Sequence, residues 1–207
     1  AIVEKLDIKQ NLFKDIETKA KPDAVLASNT SSLMIEDIAS SMSNPSRLIG
    51  IHFFNPVAQM PLVEVIRGKN SNDADVDKGC AFVTAIGKFP LIAKSVPGFL
   101  VNRVLAPYMM AALARVDKGE DMQKIDEAAR AFGMPMGPVE LADNVGLDVC
   151  AHVGNILGLT QEGQGGRLER LVNSGRLGKK TGEGFYVWKD GKAEKPITTQ
   201  QEVTDND

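Results

Sequence analysis

Histidine is scarce in this sequence: two, His52 and His152, among 207 residues. Cysteine is as rare, and Cys80 and Cys150 form no C-x-x-C pair. Two separated histidines and two separated cysteines do not make a metal centre. The thiols are expected to be buried and reduced, not bridged. No apolar run spans a membrane, because the longest, Gly98 to Ala114, is broken by Asn102, Arg103 and Pro107. No secretory or transit segment is visible, so the expected compartment is a bacterial-type cytoplasm or an organellar matrix. Basic residues are not in excess. The net charge is −3, which favours neither nucleic acid nor an anionic membrane as partner. There is no sizeable internal repeat and no G-x-G-x-x-G. The nearest approach, Gly163-Gln164-Gly165-Gly166, lacks the third glycine and follows no strand.

What is present is organised around Leu48 to Glu64, L-I-G-I-H-F-F-N-P-V-A-Q-M-P-L-V-E. Leu48–Ile51 reads as a short buried strand and Asn55-Pro56 as the turn that ends it. His52 then lies at the C-terminal end of a strand, where open α/β sheets place their ligands. Glu64 lies inside a second apolar run, Leu62-Val63-Glu64-Val65-Ile66. A buried carboxylate is costly unless a partner compensates it, and His52 is the only imidazole near in sequence. A histidine base held by a buried acid suits proton abstraction.

The remaining pattern is α/β at first and all-α afterwards. Ala1-Ile2-Val3 reads as a strand end with Glu4 at its mouth. Asp7 reads as an N-cap with Gln10 completing a capping box, for a helix with Ile8, Leu12, Phe13 and Ile16 on one face. Ala24–Ala27 reads as a strand. The polar turn Ser28-Asn29-Thr30-Ser31-Ser32 leads into a helix with Ile35, Ile38, Ala39 and Met42 inward. The start of that helix suits a carbonyl or an oxyanion, or its hydroxyls simply cap it. Asp75 to Ile86 reads as a helix with Val76, Cys80, Val83 and Ile86 inward, closed by Gly87, and Phe89–Ala93 as a strand. Ser95-Val96-Pro97-Gly98 is the best linker and the expected domain boundary. Helices follow from Phe99 to Lys118, with Val101, Val104, Leu105, Tyr108, Ala112 and Val116 inward and Pro107 inside, and from Asp121 to Phe132. Pro138 opens a third, and Leu168–Gly175 is a further one. Arg176 to Trp188 is a glycine-rich turn closing on aromatics, and the tail from Lys189 is polar.

Several of these motifs agree in order and spacing with one family. His52-Phe53-Phe54-Asn55-Pro56, Met60-Pro61-Leu62-Val63-Glu64-Val65-Ile66, Pro97-Gly98-Phe99-Leu100-Val101-Asn102-Arg103 and Met136-Gly137-Pro138-Val139-Glu140-Leu141 together resemble the 3-hydroxyacyl-CoA dehydrogenases. The wording is most like the dehydrogenase part of the multifunctional fatty-acid β-oxidation α-chains, and the resemblance runs from about Ala1 to Trp188. It implies oxidation of an (S)-3-hydroxyacyl-CoA by NAD. It implies His52 as base supported by Glu64, with Ser31 and Asn102 on the substrate. It implies Glu4, Lys9, Ser31, Asn55 and Lys180 near the cofactor. Plainer readings stand beside these: Glu4 as a helix-start acid, Lys9 and Lys180 as solvated lysines, Asn102 as a helix-start asparagine. His152 has no role in the family and is expected to be a surface or a satisfied core histidine.

By the same resemblance, residues 1–97 are the C-terminal half of a Rossmann-type NAD-binding domain, 98–188 the helical C-terminal domain and 189–207 a polar tail or linker. The family's glycine fingerprint then lies before Ala1. The chain is expected to be a piece of a longer protein, one that alone binds NAD poorly and is inactive. The helical part is expected to self-associate or to pack on other domains. Two rival readings remain: a non-catalytic helical assembly module, and another hydroxyacid dehydrogenase. Many of the latter use a lysine base.

Overall fold

The computed structural model describes residues 2–159 and 166–195. The Gly163-Gln164-Gly165 stretch and the tail beyond Lys195 lie outside the described residues. Packing divides the chain into two units, Ala1–Pro107 with Val153–Leu159 and Tyr108–His152 with Thr160–Asp207.

The first unit is a four-stranded sheet with helices on both faces. In chain order it has α1 (Leu6–Lys19), β1 (Leu26–Ser28), α2 (Ile35–Ala39), β2 (Leu48–Phe53), β3 (Leu62–Arg67), α3 (Asp73–Ala85) and β4 (Phe89–Lys94), and it includes the start of α4 (Val101–Asp117). The strand order is β1-β2-β3-β4. β1 runs parallel to β2, β2 antiparallel to β3, and β3 parallel to β4. Side chains on a strand alternate between faces. Ile49, Ile51, Val63 and Val65 therefore meet Val76 and Val83 of α3 on one face. Leu48 and Ile66 meet Leu26, Ile35, Ile38 and Phe99 on the other. His52 and Glu64 share that second face, directly opposite each other in the β2–β3 register. Two residues along, Gly50 faces Ile66. A Cβ at Gly50 would lie 2.7 Å from the Ile66 Cβ and 2.9 Å from the Ile35 Cδ1, so only glycine lets α2 close on the sheet here.

The α/β expectation holds for this unit, with local corrections. Ile2 and Val3 form no strand and are exposed. Helix α1 starts at Leu6, so Asp7 lies in its first turn and caps nothing. A carboxylate there still favours the positive helix end. Gln10 reaches Asp37 O and Ser40 Oγ instead of closing a capping box. The strand expected at Ala24–Ala27 is Leu26–Ser28. Ile86 and Val104, expected inward, are exposed. On α3 the side toward the sheet is completed by Gly79, whose missing side chain leaves room for Ile49.

The second unit contains the rest of α4, then α5 (Met122–Phe132), α6 (Pro138–Val145), most of α7 (Leu147–Ile156), and α8 (Arg167–Asn173). It ends in a hairpin, β5 (Val187–Lys189) and β6 (Lys192–Glu194). Asp121 caps α5 by accepting from Gln123 N, and Gly133 ends it in the left-handed conformation. Two buried aspartates tie the aromatic segment down. Asp143 accepts from Phe185 N, Tyr186 N and Trp188 Nε1 at 2.8, 2.8 and 3.0 Å. Asp126 accepts from Val139 N and the Tyr186 hydroxyl, both at 2.8 Å. Residues 189–194, expected as the start of a polar tail, pair instead as a hairpin. Asp190 and Gly191 both have positive φ, the demand of a two-residue loop that Asp-Gly meets.

Both cysteines are free. Burial pushes the Cys150 thiol up to about 12, aided by Asp148 and Asp143, so it is a packing residue and not a nucleophile. His152 is exposed on α7. Among the described residues no group of side chains could hold a metal ion, and no helix is long and apolar enough to cross a membrane.

Candidate active site

His52 and Glu64 meet because β2 and β3 pair antiparallel with these two residues in register. His52 Nδ1 lies 2.7 Å from Glu64 Oε2. Glu64 is fully buried and His52 nearly so. The other carboxylate oxygen, Oε1, accepts from Leu100 N at 3.0 Å and from Val101 N at 2.9 Å. Those two amides stand at the start of α4, where a helix has unpaired N–H groups and a partial positive charge. The chain reaches them through Gly98 and Phe99, both with positive φ, 73° and 49°. Phe99 is not glycine, so this turn costs about 1–2 kcal/mol of backbone energy. Its ring is buried and stands edge-on to the imidazole, with centroids 5.6 Å apart, while Phe54 tilts against the ring at 4.7 Å.

A carboxylate only accepts hydrogen bonds. The ring nitrogen that meets Glu64 must therefore carry a proton, and in the neutral imidazole Nε2 is left with its lone pair. The histidine is oriented, confined between two aromatic rings, and held in the tautomer that can take up a proton.

A second cluster forms beside β1. Glu4 Oε1 accepts from the Thr30 hydroxyl, from Ser31 N at 3.1 Å and from the Ser32 hydroxyl at 3.3 Å. Its Oε2 pairs with Lys9 Nζ at 2.9 Å. Burial opposes ionisation of Glu4, but the Thr30 and Lys9 hydrogen bonds outweigh it and hold the carboxyl below its ordinary range. Lys9 is 1% exposed, so the solvated-lysine reading is overturned. Glu4 is not a helix-start acid either, because it clamps the loop after β1. The hydroxyls do not cap α2. Thr30 Oγ1 accepts from Ser32 N and Leu33 N, and the amide of Ile35 at the start of α2 is taken by Ser95 Oγ. One amide of that helix end is thus taken by a protein hydroxyl.

The C-terminal ends of the parallel strands β1 and β2 lie on one edge. Asn29 Oδ1 accepts from Phe53 N at 3.2 Å and ties the serine loop to the end of β2. Ser31 is half-buried in that loop, and its hydroxyl has no partner among the described residues. Asn55 is exposed in the turn after β2. Asn102 lies in the first turn of α4, one residue past an amide that holds Glu64. Lys180 belongs to the second unit, where it is exposed and pairs at the surface with Asp148 at 2.5 Å.

Sequence reasoning passed over Asn29, Thr30, Phe54, Phe99 and the amides of Leu100 and Val101. A signal for the amides was present: a glycine immediately before a helix start, read there only as a linker.

A sheet with helices on both faces, and an oriented histidine at the carboxyl end of one strand, defines an α/β domain with an acid–base site. Comparison with known proteins makes this particular. Residues 1–96 match the model of the 3-hydroxyacyl-CoA dehydrogenase NAD binding domain, and residues 98–188 that of the 3-hydroxyacyl-CoA dehydrogenase C-terminal domain. The chain belongs to the 3-hydroxyacyl-CoA dehydrogenase family. It is 39% identical over 227 aligned residues to the fatty acid oxidation complex subunit alpha of Pseudomonas putida, covering 100% of this chain and 32% of that relative. It thus spans about a third of the length of that curated relative. Among solved structures, M. tuberculosis FadB2 is 38% identical with a TM-score of 0.84, over 91% of this chain and 69% of that one. The (S)-3-hydroxybutyryl-CoA dehydrogenase PaaH1 of Ralstonia eutropha is 36% identical with a TM-score of 0.83, over the same shares.

Two predictions follow from this geometry. Glu64→Gln should keep the fold but reverse the tautomer, because an amide NH₂ facing Nδ1 donates where the carboxylate accepted. The ¹⁵N shifts of His52 should then place the proton on Nε2, and an unchanged Nδ1–H tautomer would refute the assignment. Glu4 concerns stability. Its folded pKa is lowered, so its ionised form stabilises the fold above the ordinary carboxyl range. That contribution is lost as pH falls through the lower folded value. The stability gap between the wild type and Glu4→Gln should therefore close on acidification below about pH 4.5, the reference carboxyl value. A constant gap in denaturation curves would count against the clamp.

Proposed function

We propose that this chain is the dehydrogenase part of an NAD-dependent enzyme oxidising (S)-3-hydroxyacyl-CoA to 3-oxoacyl-CoA in fatty-acid β-oxidation. The observation that carries the reading is the His52–Glu64 pair, with both oxygens of the buried carboxylate committed. A secondary alcohol gives up hydride poorly while it keeps its proton. Nε2 of His52 takes the proton from the hydroxyl oxygen as hydride leaves the carbon that bears it and the C=O bond forms, and the imidazolium is stabilised by Glu64. Bound NAD would supply the hydride acceptor. The residues fit its nicotinamide end, because the carboxyl edge of β1 and β2 offers the unpartnered Ser31 hydroxyl and the exposed Asn55 amide. Glu4 and Lys9 hold the loop that carries Ser31. Ser31 and Asn102 hold the reacting oxygen and the thioester end of the substrate, and Lys180 serves the cofactor side. Residues 1–97 form the dinucleotide-binding part and 98–188 the helical domain. The bacterial source of the relatives agrees with a bacterial-type cytoplasm, and an organellar matrix is the other setting the reading allows.

In the full-length protein, His52→Gln should lower turnover on 3-hydroxyacyl-CoA by about a hundredfold or more, with NADH affinity little changed. Near-normal turnover would sink the assignment.

A specific observation also supports association through the helical part. Phe132 is 89% exposed at the end of α5, and Val145 and Val149 are exposed on neighbouring elements of the same unit. The acyl-CoA enzyme proposed above is therefore expected to self-associate there, or to pack those residues on other domains of a longer chain. Sedimentation of the isolated 207-residue chain should show oligomers at high concentration, and a strictly monomeric species would refute self-association.

A further inference from the structure

The loop from Phe54 to Pro61 joins β2 to β3 and carries two residues of the candidate site. Phe54 packs on the His52 ring, and Asn55 follows it. The loop is almost wholly exposed. Its centre is one helical turn, in which Gln59 N and Met60 N both donate to Pro56 O at 2.9 and 3.1 Å. Such a turn leaves carbonyls pointing out of its C-terminal end. Two of them, Val57 O and Met60 O, accept from the Lys88 ammonium at 2.6 and 2.7 Å.

Lys88 is itself fixed. It follows Gly87, whose φ of 76° turns the chain out of α3, and its own amide donates to Val83 O at 3.1 Å. The next residue, Phe89, enters β4 and donates its amide to Pro61 O at 2.8 Å. The loop is thus pinned at three points: Phe53 N on Asn29 at its base, Lys88 at its turn, and Phe89 N at its exit. Among the described residues, the hydrogen bonds that tie the turn itself to the rest of the unit are those of Lys88. An ammonium on two carbonyls at the end of a helical turn also has the favourable sign for the turn's dipole.

We infer that Lys88 is a positioning residue: by clamping Val57 O and Met60 O it holds the β2–β3 loop, and with it Phe54, against the imidazole of His52. The effect on catalysis rests on the dehydrogenase reading above, whereas the effect on the His52 ring does not. Lys88 touches neither His52 nor Glu64, and it acts through the backbone of the loop.

The test uses the full-length protein with Lys88→Met, Lys88→Arg and, as control, Lys14→Met on the exposed side of α1. With ¹³C-labelled histidine, the His52 signal, assigned by its loss in His52→Gln, reports the site, and the signal of exposed His152, assigned in the same way, reports the rest. In Lys88→Met the His52 ring signal should shift while that of His152 stays. Amide exchange of residues 54–61 by mass spectrometry should quicken by about tenfold or more. Turnover should fall by about ten- to a hundredfold, the order expected from misplacing a packed catalytic group. Lys88→Arg, which keeps a cation able to reach both carbonyls, should restore all three to within about twofold, and Lys14→Met should change none. If Lys88→Met does not fold, Lys88→Gln, which retains one donor group, is read in its place. A folded variant with unmoved His52 signal or unchanged loop exchange overturns the inference, as does faster exchange with normal turnover. Should the wild type show no dehydrogenase turnover, the functional reading fails, and the ring signal and loop exchange still decide the role of Lys88.

Discussion

An ionised carboxylate with no contact with water is the constraint on which the first unit depends. Glu64 is fully buried in the middle of a sheet. Removing such a charge from water costs several kcal/mol even after relaxation, unless good hydrogen bonds replace the lost hydration. Three donors do so here: two amides of α4 and the imidazole. Each dictates something larger. The imidazole dictates the β2–β3 register, since a slip of one residue would put His52 on the opposite face from Glu64. The amides dictate where α4 begins. The left-handed pair Gly98-Phe99 follows from that, because the chain leaving β4 must turn sharply to bring Leu100 and Val101 onto one oxygen. The buried Phe99 ring then closes the remaining side of the imidazole, so the backbone strain of the turn is repaid in packing.

The parts of this arrangement that were legible in the sequence are those where a residue contradicts its surroundings. Glu64 is a charge in an apolar strand, and His52 is one of two histidines, placed at a strand end. Continuous apolar runs at Leu48–Ile51 and Leu62–Ile66 gave both strands, and glycines after helical stretches marked their ends. What escaped was whatever is carried by the backbone or by long-range pairing. Amide donors have no sequence letter. Lys9 looked solvated because a lysine on an amphipathic helix usually is, and nothing local shows that Glu4, five residues earlier, folds back to meet it. The hairpin at Val187–Glu194 did carry a signal, the Asp190-Gly191 pair, which a reading by polarity alone passes over.

The second unit uses the same device for a different end. Asp126 and Asp143 are also fully buried carboxylates that accept backbone amides. Burial raises the Asp143 carboxyl pKa despite its three donors, the Trp188 indole and the amides of Tyr186 and Phe185. Here the carboxylates staple the Phe185–Trp188 segment to α5 and α6. Their oxygens are spent on peptide and ring donors fixed in the fold, so neither holds a histidine and neither orients a base. The glycines Gly137 and Gly184 record how closely the backbone approaches, since a Cβ on either would lie within 2.2 Å of one of these aspartates.

Buried polar pairs are a poor way to make a fold stable. Replacing such a pair with apolar residues of similar volume is often neutral, or stabilising by about 1–4 kcal/mol. Ile66 and Leu48, on the same face and fully buried, show that this part of the sheet accepts aliphatic side chains readily. Stability alone therefore does not account for a histidine and a glutamate at 52 and 64. What an apolar pair would lack is a directed lone pair on Nε2, in an environment where the opposite nitrogen is held protonated. Glutamate supplies that because it accepts only, and because its second oxygen is already committed to α4 and cannot rotate away. An amide in its place would keep most of the packing and the amide contacts, yet allow the ring to carry its proton on the wrong nitrogen. The contrast with Asp126 and Asp143 sharpens the point. The same buried group, given three amide or ring donors, is a staple, and given two amides and an imidazole it becomes the orienter of a base. The difference lies in the third donor, and the β2–β3 register is what supplies it.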